Sequence, residues 1–448
     1  MTKSSSQSSA REEAVRHLIR VQQDGGHVAR LGKSAFGPRE SRHISDLVAG
    51  VTRHRRWLDF LIANFYHGEA HTLDDPVRQI LRIGLYEIVE RRTPNHAAVS
   101  EAVDVAKRFS GPGAAKLVNA VLRAASRAHD ADSLPTPHTG KRVRDLAIRY
   151  SHPTWLVRKW LEQYGEAETI ELLRANNARP SHSLRINAEK ITPGDFQELL
   201  TGMSVEWEVS PVLDDFVVVP RLQPIIRSGL IDKGLCAVQD QSAGLVVRAL
   251  DPRPGEFILD CAAAPGGKAI YAAQRMKNRG RVVAIDIHEA RTRLIQEAAV
   301  KQNETILDIH AADIRSARFD RLFDRVLLDA PCSGLGVLAK RADLRWRMNP
   351  EKIKELTTLQ DEMLRAASQH VRPGGVLVYS TCTIEPCENE ERVHAFIQSA
   401  PNFIVERIAG EIPKHMLTAE GFCQTLPHRH QTDGAFAARL RRIESAPS

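Results

Sequence analysis

Between residues 255 and 381 the chain repeats one pattern, which narrows the possible folds more than any other feature of its 448 residues. Short apolar runs alternate with amphipathic stretches. The runs are FILDCAA (257–263), RVVAID (281–286), TILDIH (305–310), FDRVLLD (323–329) and GGVLVYST (374–381). Between the last two, Leu356, Leu359, Met363, Ala367 and Val371 recur at helical spacing. Strand–helix–strand repetition of this kind predicts a doubly wound, mostly parallel sheet. Ligands of such sheets bind at the carboxyl ends of the strands. The residues that follow each run are therefore the first candidates for chemistry.

Upstream the periodicity differs. Residues 11–128 read as helices throughout, an all-α bundle. Val99, Ala102, Val103 and Ala106 share one helical face, and Leu117, Val118, Val121 and Leu122 share another. Gly111-Pro112-Gly113 breaks the chain between them. Basic residues crowd the polar faces (Arg53, His54, Arg55, Arg56, Lys107, Arg108, Arg123, Arg127), as solvated surface or an RNA-binding surface would require. A polar linker is expected over 129–141. Residues 142–250 read as helices followed by a small α+β domain, with strands at SLRIN and FVVVP and a helix that starts at Thr192-Pro193. Residues 251–445 then form the α/β domain. The Ser-rich residues 1–10 have no apolar core and read as a disordered tail rather than a secretory signal.

The bulk numbers set outer limits. No stretch reaches the roughly 18 apolar residues of a membrane span. Six cysteines spread over the chain make no disulfide framework. A cytoplasmic monomer is expected. The net charge of +7 favours an anionic partner without naming it.

Four motifs sit at the predicted strand ends. DCAAAPGGKA (260–269) places small residues between a strand and a helix, where backbone can approach a ligand closely and free N–H groups are on offer. It is neither a P-loop nor a G-x-G-x-x-G turn, because Ala262 stands where a P-loop needs Gly and Ala269 follows Lys268. Asp286 ends the second run; a carboxylate there can accept both hydroxyls of a ribose. Asp313 follows the third, within reach of an adenine edge. Together the three imply a cofactor with ribose and adenine but no pyrophosphate, which S-adenosylmethionine satisfies. LLDAPCSGLGVLAKRADLRWR (327–347) carries Asp329, Cys332 and Ser333, then an Arg-rich tail with Trp346. That tail suits a nucleic-acid backbone and a stacked base, or is a solvated loop. Finally Cys382 ends the fifth run in VYSTCTIEPCENE (378–390). Cys332, Cys382 and Cys387 lack C-x-x-C spacing and a well-placed histidine, so no metal is expected. A thiol at a strand-to-helix turn has the exposure that a nucleophile needs.

APGGK, LLDAPCSG and YSTCT in this order resemble the RsmB/Nop2/Sun family of RNA cytosine-5 methyltransferases. Residues 142–180 and GLCAVQDQSAGL (234–245) resemble that family's pre-catalytic region, and residues 11–128 are similar to the NusB domain. The resemblance implies a Rossmann-like class I methyltransferase domain, S-adenosylmethionine as cofactor and small-subunit (16S) ribosomal RNA as partner. Its cofactor loop maps onto Ala262, Ala263, Ala264, Pro265, Gly266, Gly267 and Lys268; Ala262 replaces the family's Cys, while Cys261 lies one place earlier. Asp286 and Asp313 map onto its acidic cofactor contacts. Asp329 is expected to hold the target base beside the cofactor, Cys382 to be the nucleophile, and Cys332 to assist product release. Lys268 can tune the site electrostatically. In TDGAFAARLRR, Ala435 replaces the family's first Phe. Cys387 and Cys261 have no assigned role. Competing readings are a transfer-RNA or DNA cytosine-5 methyltransferase, the latter with Cys332 as nucleophile, and a non-catalytic RNA-binding assembly factor.

Overall fold

The computed structural model describes residues 9–24, 36–91 and 93–443. Of the expected tail, residues 1–8 lie outside the described residues, and Ala10 already opens the first helix. The chain forms two units, Met1–Ala178 with Leu338–Arg347, and Arg179–Val337 with Met348–Ser448.

The first unit is helical: α1 (Ala10–Asp24), α2 (Pro38–Phe65), α3 (Asp75–Val89), α4 (Asn95–Asp130), α5 (Arg142–Arg149) and α6 (Thr154–Asn177). Apolar residues of α1–α4, with Ile148 of α5, meet in one core that includes Leu47, Val51, Leu58, Leu81, Leu85, Val118 and Leu122. The expected break in α4 is present. Gly111 takes φ 84°, which a residue without Cβ adopts readily, and Pro112 starts the second half.

Residues 338–347 correct the sequence reading. Arg345 is fully buried in this helical unit. Its guanidinium donates to the carbonyls of Ser151 (3.1 Å) and Asn176 (3.0 Å) and to Asn177 Oδ1 (2.7 Å). The Trp346 indole N–H donates to Thr52 O at 2.7 Å, and the Arg55 guanidinium lies over its ring at 4.3 Å. Nearby, Arg53 donates to Ala339 O (2.7 Å) and Arg56 to His152 O (2.8 Å). Burial pushes His54 down to about 3 and Arg55 to about 10. Arg345 and Trp346 are thus neither a nucleic-acid tail nor a solvated loop. These acceptors offset part of the cost of a buried cation: burial still pushes the Arg345 pKa well below its usual range, and its Nε has no partner among the described residues.

The second unit holds two sheets. The smaller is antiparallel and consists of β1 (His182–Ile186), β2 (Glu208–Val209), β3 (Phe216–Val219) and β4 (Cys236–Val238), in the order β2-β3-β1-β4. Helix α7 (Pro193–Gly202) packs with it, its first turn capped by the Thr192 hydroxyl accepting from Asp195 N. Helix α8 (Gln223–Ser228) follows β3, and α9 (Gln241–Leu250) leads to the larger sheet.

That sheet contains β5 (Phe257–Asp260), β6 (Arg281–Asp286), β7 (Leu307–Ala311), β8 (Phe323–Asp329), β9 (Val371–Thr381), β10 (Phe403–Val405), β11 (Cys423–Thr425) and β12 (Ala435–Arg442). The path is β10-β12-β9-β8-β5-β6-β7, with β11 on β12. Pairings from β9 through β7 are parallel; those of β12 are antiparallel. The connecting helices are α10 (Gly267–Arg275), α11 (Glu289–Gln302), α12 (Pro350–Ser368) and α13 (Glu390–Ser399). This is the doubly wound, mostly parallel sheet expected of a Rossmann-like methyltransferase domain. The chain runs outward in one direction from β5 to β6 and β7, and in the other to β8 and β9. One residue moves: Val371, placed by periodicity on the preceding helix, is the first residue of β9 and pairs with Phe323.

Candidate active site

The strand order decides which loops meet. β8 and β9 are parallel neighbours, with Asp329 opposite Ser380. The two turns that leave them therefore carry Cys332 and Cys382 to the same place. Their sulfurs are 3.3 Å apart, and Cys382 N–H also points at Cys332 Sγ, at 3.3 Å. Cys382 is exposed and Cys332 half-buried. Cys332 is held well above the ordinary thiol range, first by its hydrogen bond to Cys382, then by burial, the Cys382 charge and Glu388.

β5 lies on the other side of β8, which brings the small-residue loop 260–269 alongside. Lys268, on the first turn of α10, donates to Asp329 Oδ2 at 2.7 Å, and Ser380 Oγ donates to Asp329 Oδ1 at 2.8 Å. Burial opposes the Lys268 charge, but the Asp329 carboxylate beside it more than compensates, and its pKa is raised.

Main-chain bonds shape the loop itself: Cys261 N–H to Leu327 O, Ala263 N–H to Ile285 O and Gly266 N–H to Ala263 O, each at 2.7–2.9 Å. Gly266 sits at φ 105°, and Gly267 begins α10. Ala262 makes no side-chain hydrogen bond by its nature, so the replacement of Cys leaves this scaffold untouched. Cys261 is buried, its thiol pushed well above the usual range by burial and by Asp260. Asp286 caps the turn after β6, accepting from His288 N at 3.0 Å, with Arg291 at 3.3 Å. Asp313 is paired with Arg315 at 2.7 Å.

A ligand-shaped need is visible here. Asp260 ends β5 fully buried, and its Oδ2 has no hydrogen-bond partner. Burial and the neighbouring Asp329 push its pKa up to about 7. An orphaned buried acceptor is costly unless a donor reaches it. A cofactor with an ammonium or hydroxyl group meets that need, and the small residues 262–267 leave its backbone approach open. The residues present fit S-adenosylmethionine.

Sequence reasoning missed the polar lock behind the cysteines. Glu388, Ser333, Thr383 and Gln360 are all fully buried. Glu388 accepts from Ser333 N (2.8 Å), Ser333 Oγ (2.5 Å) and Gln360 Nε2 (3.1 Å). The glycines of GLG and TDG have a reason too. Gly336 N–H donates to Cys382 O (3.1 Å), and Gly434 N–H to Gly336 O (2.8 Å). A Cβ on Gly336 would stand 2.2 Å from Gly434 O and 2.8 Å from Cys382 O. Ala435, in place of the larger Phe, lies next in chain, buried at the start of β12.

A groove of about 990 Å³ lies elsewhere in this unit, lined by Trp207, Val209, Pro220 and Gln431 among others, with Glu206 and Glu208 but no lysine or arginine. Among the described residues no group of three or more His, Cys, Asp or Glu converges as metal ligands, and no helix is long and apolar enough to cross a membrane.

A doubly wound sheet, a small-residue loop after its first strand, and acidic residues after the next two strands define a Rossmann-like methyltransferase. Comparison with known proteins is more specific. A profile described as 16S rRNA methyltransferase RsmB/F matches residues 247–441, one for a ferredoxin-like domain of RsmF/B-like methyltransferases matches 152–225, and one for the NusB family matches 8–127. The chain is 34% identical to the probable ribosomal RNA small subunit methyltransferase B of Bacillus subtilis (strain 168), over 97% of this chain and 99% of that one. It is 34% identical to the ribosomal RNA small subunit methyltransferase B of Vibrio cholerae, over 81% and 80%. The crystal structure of a methyltransferase homolog from Pyrococcus horikoshii superposes with a TM-score of 0.59 at 26% identity, covering 67% of this chain and 99% of that one. The chain belongs to the RsmB/F family of S-adenosylmethionine-dependent methyltransferases.

Proposed function

We propose that this protein methylates carbon 5 of a specific cytosine in small-subunit (16S) ribosomal RNA, through a covalent bond between Cys382 and carbon 6 of the base. The relatives' names supply the RNA class. The observation that carries the chemistry is the 3.3 Å pair of sulfurs beside the Lys268–Asp329 ion pair, at the ends of adjacent strands.

Residues 262–268, Asp286 and Asp313 hold S-adenosylmethionine, with Asp260 available to a donor group. The bound cofactor supplies an electrophilic methyl group. The chain's own side chains meet a different difficulty, that carbon 5 of cytosine is a poor nucleophile. Addition of the Cys382 thiolate to carbon 6 forms an S–C6 bond and makes carbon 5 enamine-like and electron-rich. Asp329, fixed by Lys268 and Ser380, hydrogen-bonds the N3/N4 edge in this reading and shares a proton with N3, which neutralises the charge that thiolate addition places on the ring. After methylation a base removes the carbon 5 proton, the S–C6 electron pair returns to sulfur, and Cys382 is free again. Cys332, in contact with Cys382, assists this release. The base must be unstacked for attack on its ring, so an unpaired cytosine is the expected target.

The same reading assigns residues 11–128 to RNA binding, 142–250 to the pre-catalytic region and 251–445 to catalysis, in a cytoplasmic monomer. Methyl transfer from labelled cofactor to unmodified small-subunit ribosomal RNA tests it, with the product mapped to the nucleotide. Cys332→Ala is expected to accumulate a covalent enzyme–RNA adduct. Accumulation with Cys382→Ala instead reverses the two roles.

A further inference from the structure

Two sulfurs in contact are chemically alike, so something must make them unequal. We propose that the adjacent residues Glu388 and Asn389 do so: each grips one cysteine turn, and the charged one grips the turn of Cys332, which keeps Cys332 as the thiol and leaves Cys382 to attack. This rests on the assignment of Cys382 as nucleophile and explains what selects it.

The two grips match in form. Glu388 takes Ser333 N–H and O–H on one side of Cys332. It also accepts from Gln360 Nε2, which donates in turn to Pro331 O, on the other side, at 2.9 Å. Asn389 does the same for Cys382: its Oδ1 accepts from Thr381 Oγ1 at 2.6 Å, and its Nδ2 donates to Thr383 O at 3.1 Å. The residues that follow the two cysteines are joined, Ser333 Oγ to Thr383 Oγ1, at 2.8 Å. The gripping side chains and Ser333, Thr381 and Thr383 are buried, and the Tyr379 hydroxyl anchors them by donating to Glu388 O at 2.6 Å. Form is shared but charge is not. A carboxylate holds one turn and a neutral amide the other.

The surrounding charges reinforce the difference. A buried anion raises the cost of a second anion nearby, and burial weakens the screening that would hide it. Glu388 is among the causes that hold Cys332 high, and Lys268 feels the charge of Cys382. The other titratable groups around this lock are Glu385, Tyr379, Arg392 and Asp361. Glu388 itself is raised on balance, because burial outweighs the donors from Ser333 and Gln360.

The test is per-cysteine alkylation of the full chain by iodoacetamide across pH 6–9, quantified by mass spectrometry, in which a thiolate displaces iodide. The buried Cys236, Cys261 and Cys423 serve as internal references. In the unaltered protein Cys382 is expected to react faster than Cys332. Glu388→Gln keeps the shape and removes the charge, and is expected to narrow the Cys382/Cys332 rate ratio at neutral pH by about tenfold or more, one pKa unit. Glu388→Asp restores most of the ratio if charge is the agent. Asn389→Asp, which puts a carboxylate on the other turn, slows Cys382. A ratio unchanged within about twofold in folded Glu388→Gln overturns the proposal. So does an equal collapse in Ser333→Ala, which keeps the charge and loosens the grip. If Glu388→Gln does not fold, Asn389→Asp decides alone: an unslowed Cys382 overturns the proposal. Failure of this ratio leaves the nucleophile assignment standing, because that assignment falls only on the RNA-adduct experiment.

Discussion

The two halves of the strand-end crevice are built on opposite plans. At the cofactor end, around β5 and β6, main-chain hydrogen bonds shape the loop and the side chains from 262 to 267 are small. At the cysteine end, around β8 and β9, buried side chains shape the turns, and three loops touch at Gly336, Gly434 and Cys382. A scaffold of backbone bonds tolerates a changed side chain. A scaffold of interlocked side chains and glycine contacts does not, because each member has a neighbour that cannot give way. The contrast predicts that substitutions will sort by end rather than by distance from the reacting atoms.

The largest effect belongs to the cysteine end. Cys382→Ala is expected to lower methyl transfer by about a thousandfold or more while cofactor affinity by calorimetry changes less than about threefold, since Cys382, the proposed nucleophile, lies outside the 262–268 loop proposed to hold the cofactor. Cofactor binding lost in parallel would dissolve the distinction between the ends. Next is Gly336→Ala. Its new Cβ meets two carbonyl oxygens, one of them that of Cys382, so a loss of about 1–3 kcal/mol in stability should accompany a fall in turnover of tenfold or more. Unchanged turnover would show that the three-loop contact does not position Cys382.

At the cofactor end the expected signal is a pH dependence of stability. Asp260 has a folded pKa of about 7 against an ordinary 3.8. Between those values the folded protein holds a proton that the unfolded chain has lost, so its stability falls as pH rises through that window. Below about 3.8 the difference disappears, and above about 7 the full cost is present, at most about 4 kcal/mol. Chemical denaturation of the cofactor-free protein at pH 5 and pH 8 should show the loss, and Asp260→Asn should flatten it. Equal slopes in the two proteins would remove Asp260 as its source. The smallest effect is Ala262→Cys, which restores the family's residue. Cofactor affinity and turnover should stay within about twofold, and a larger change would mean that side chains do shape this loop.

Much of this was legible in the linear chain. β6 and β8 begin and end where the apolar runs RVVAID and FDRVLLD do, because a central parallel strand is apolar along its length and stops where it reaches solvent. Asp286, Asp329 and Cys382 could be placed at the ligand edge for the same reason. Val371 was misplaced because a β-branched residue one turn past Met363 and Ala367 fits either pattern, and only pairing with Phe323 settles it. The Glu388–Ser333–Gln360 lock had no such signal: its members are polar, aperiodic and up to 55 residues apart. Arg345 was misread outright. Charge beside tryptophan in an Arg-rich stretch reads as surface, and its burial among the carbonyls of Ser151 and Asn176 is a fact of packing.

What the sequence determined alone is therefore the set of short-range choices: which segments become strands, where they surface, and which reactive side chains stand at those points. Periodicity and local turn chemistry suffice for that. Tertiary structure decided which strand ends become neighbours and what is buried behind them. β8 lies beside β9 and β5, so Cys332 meets Cys382 and Asp329 meets Lys268 across 50 and 61 residues of chain. Hydrogen bonds and charges act over a few ångströms of space and take no account of separation along the chain.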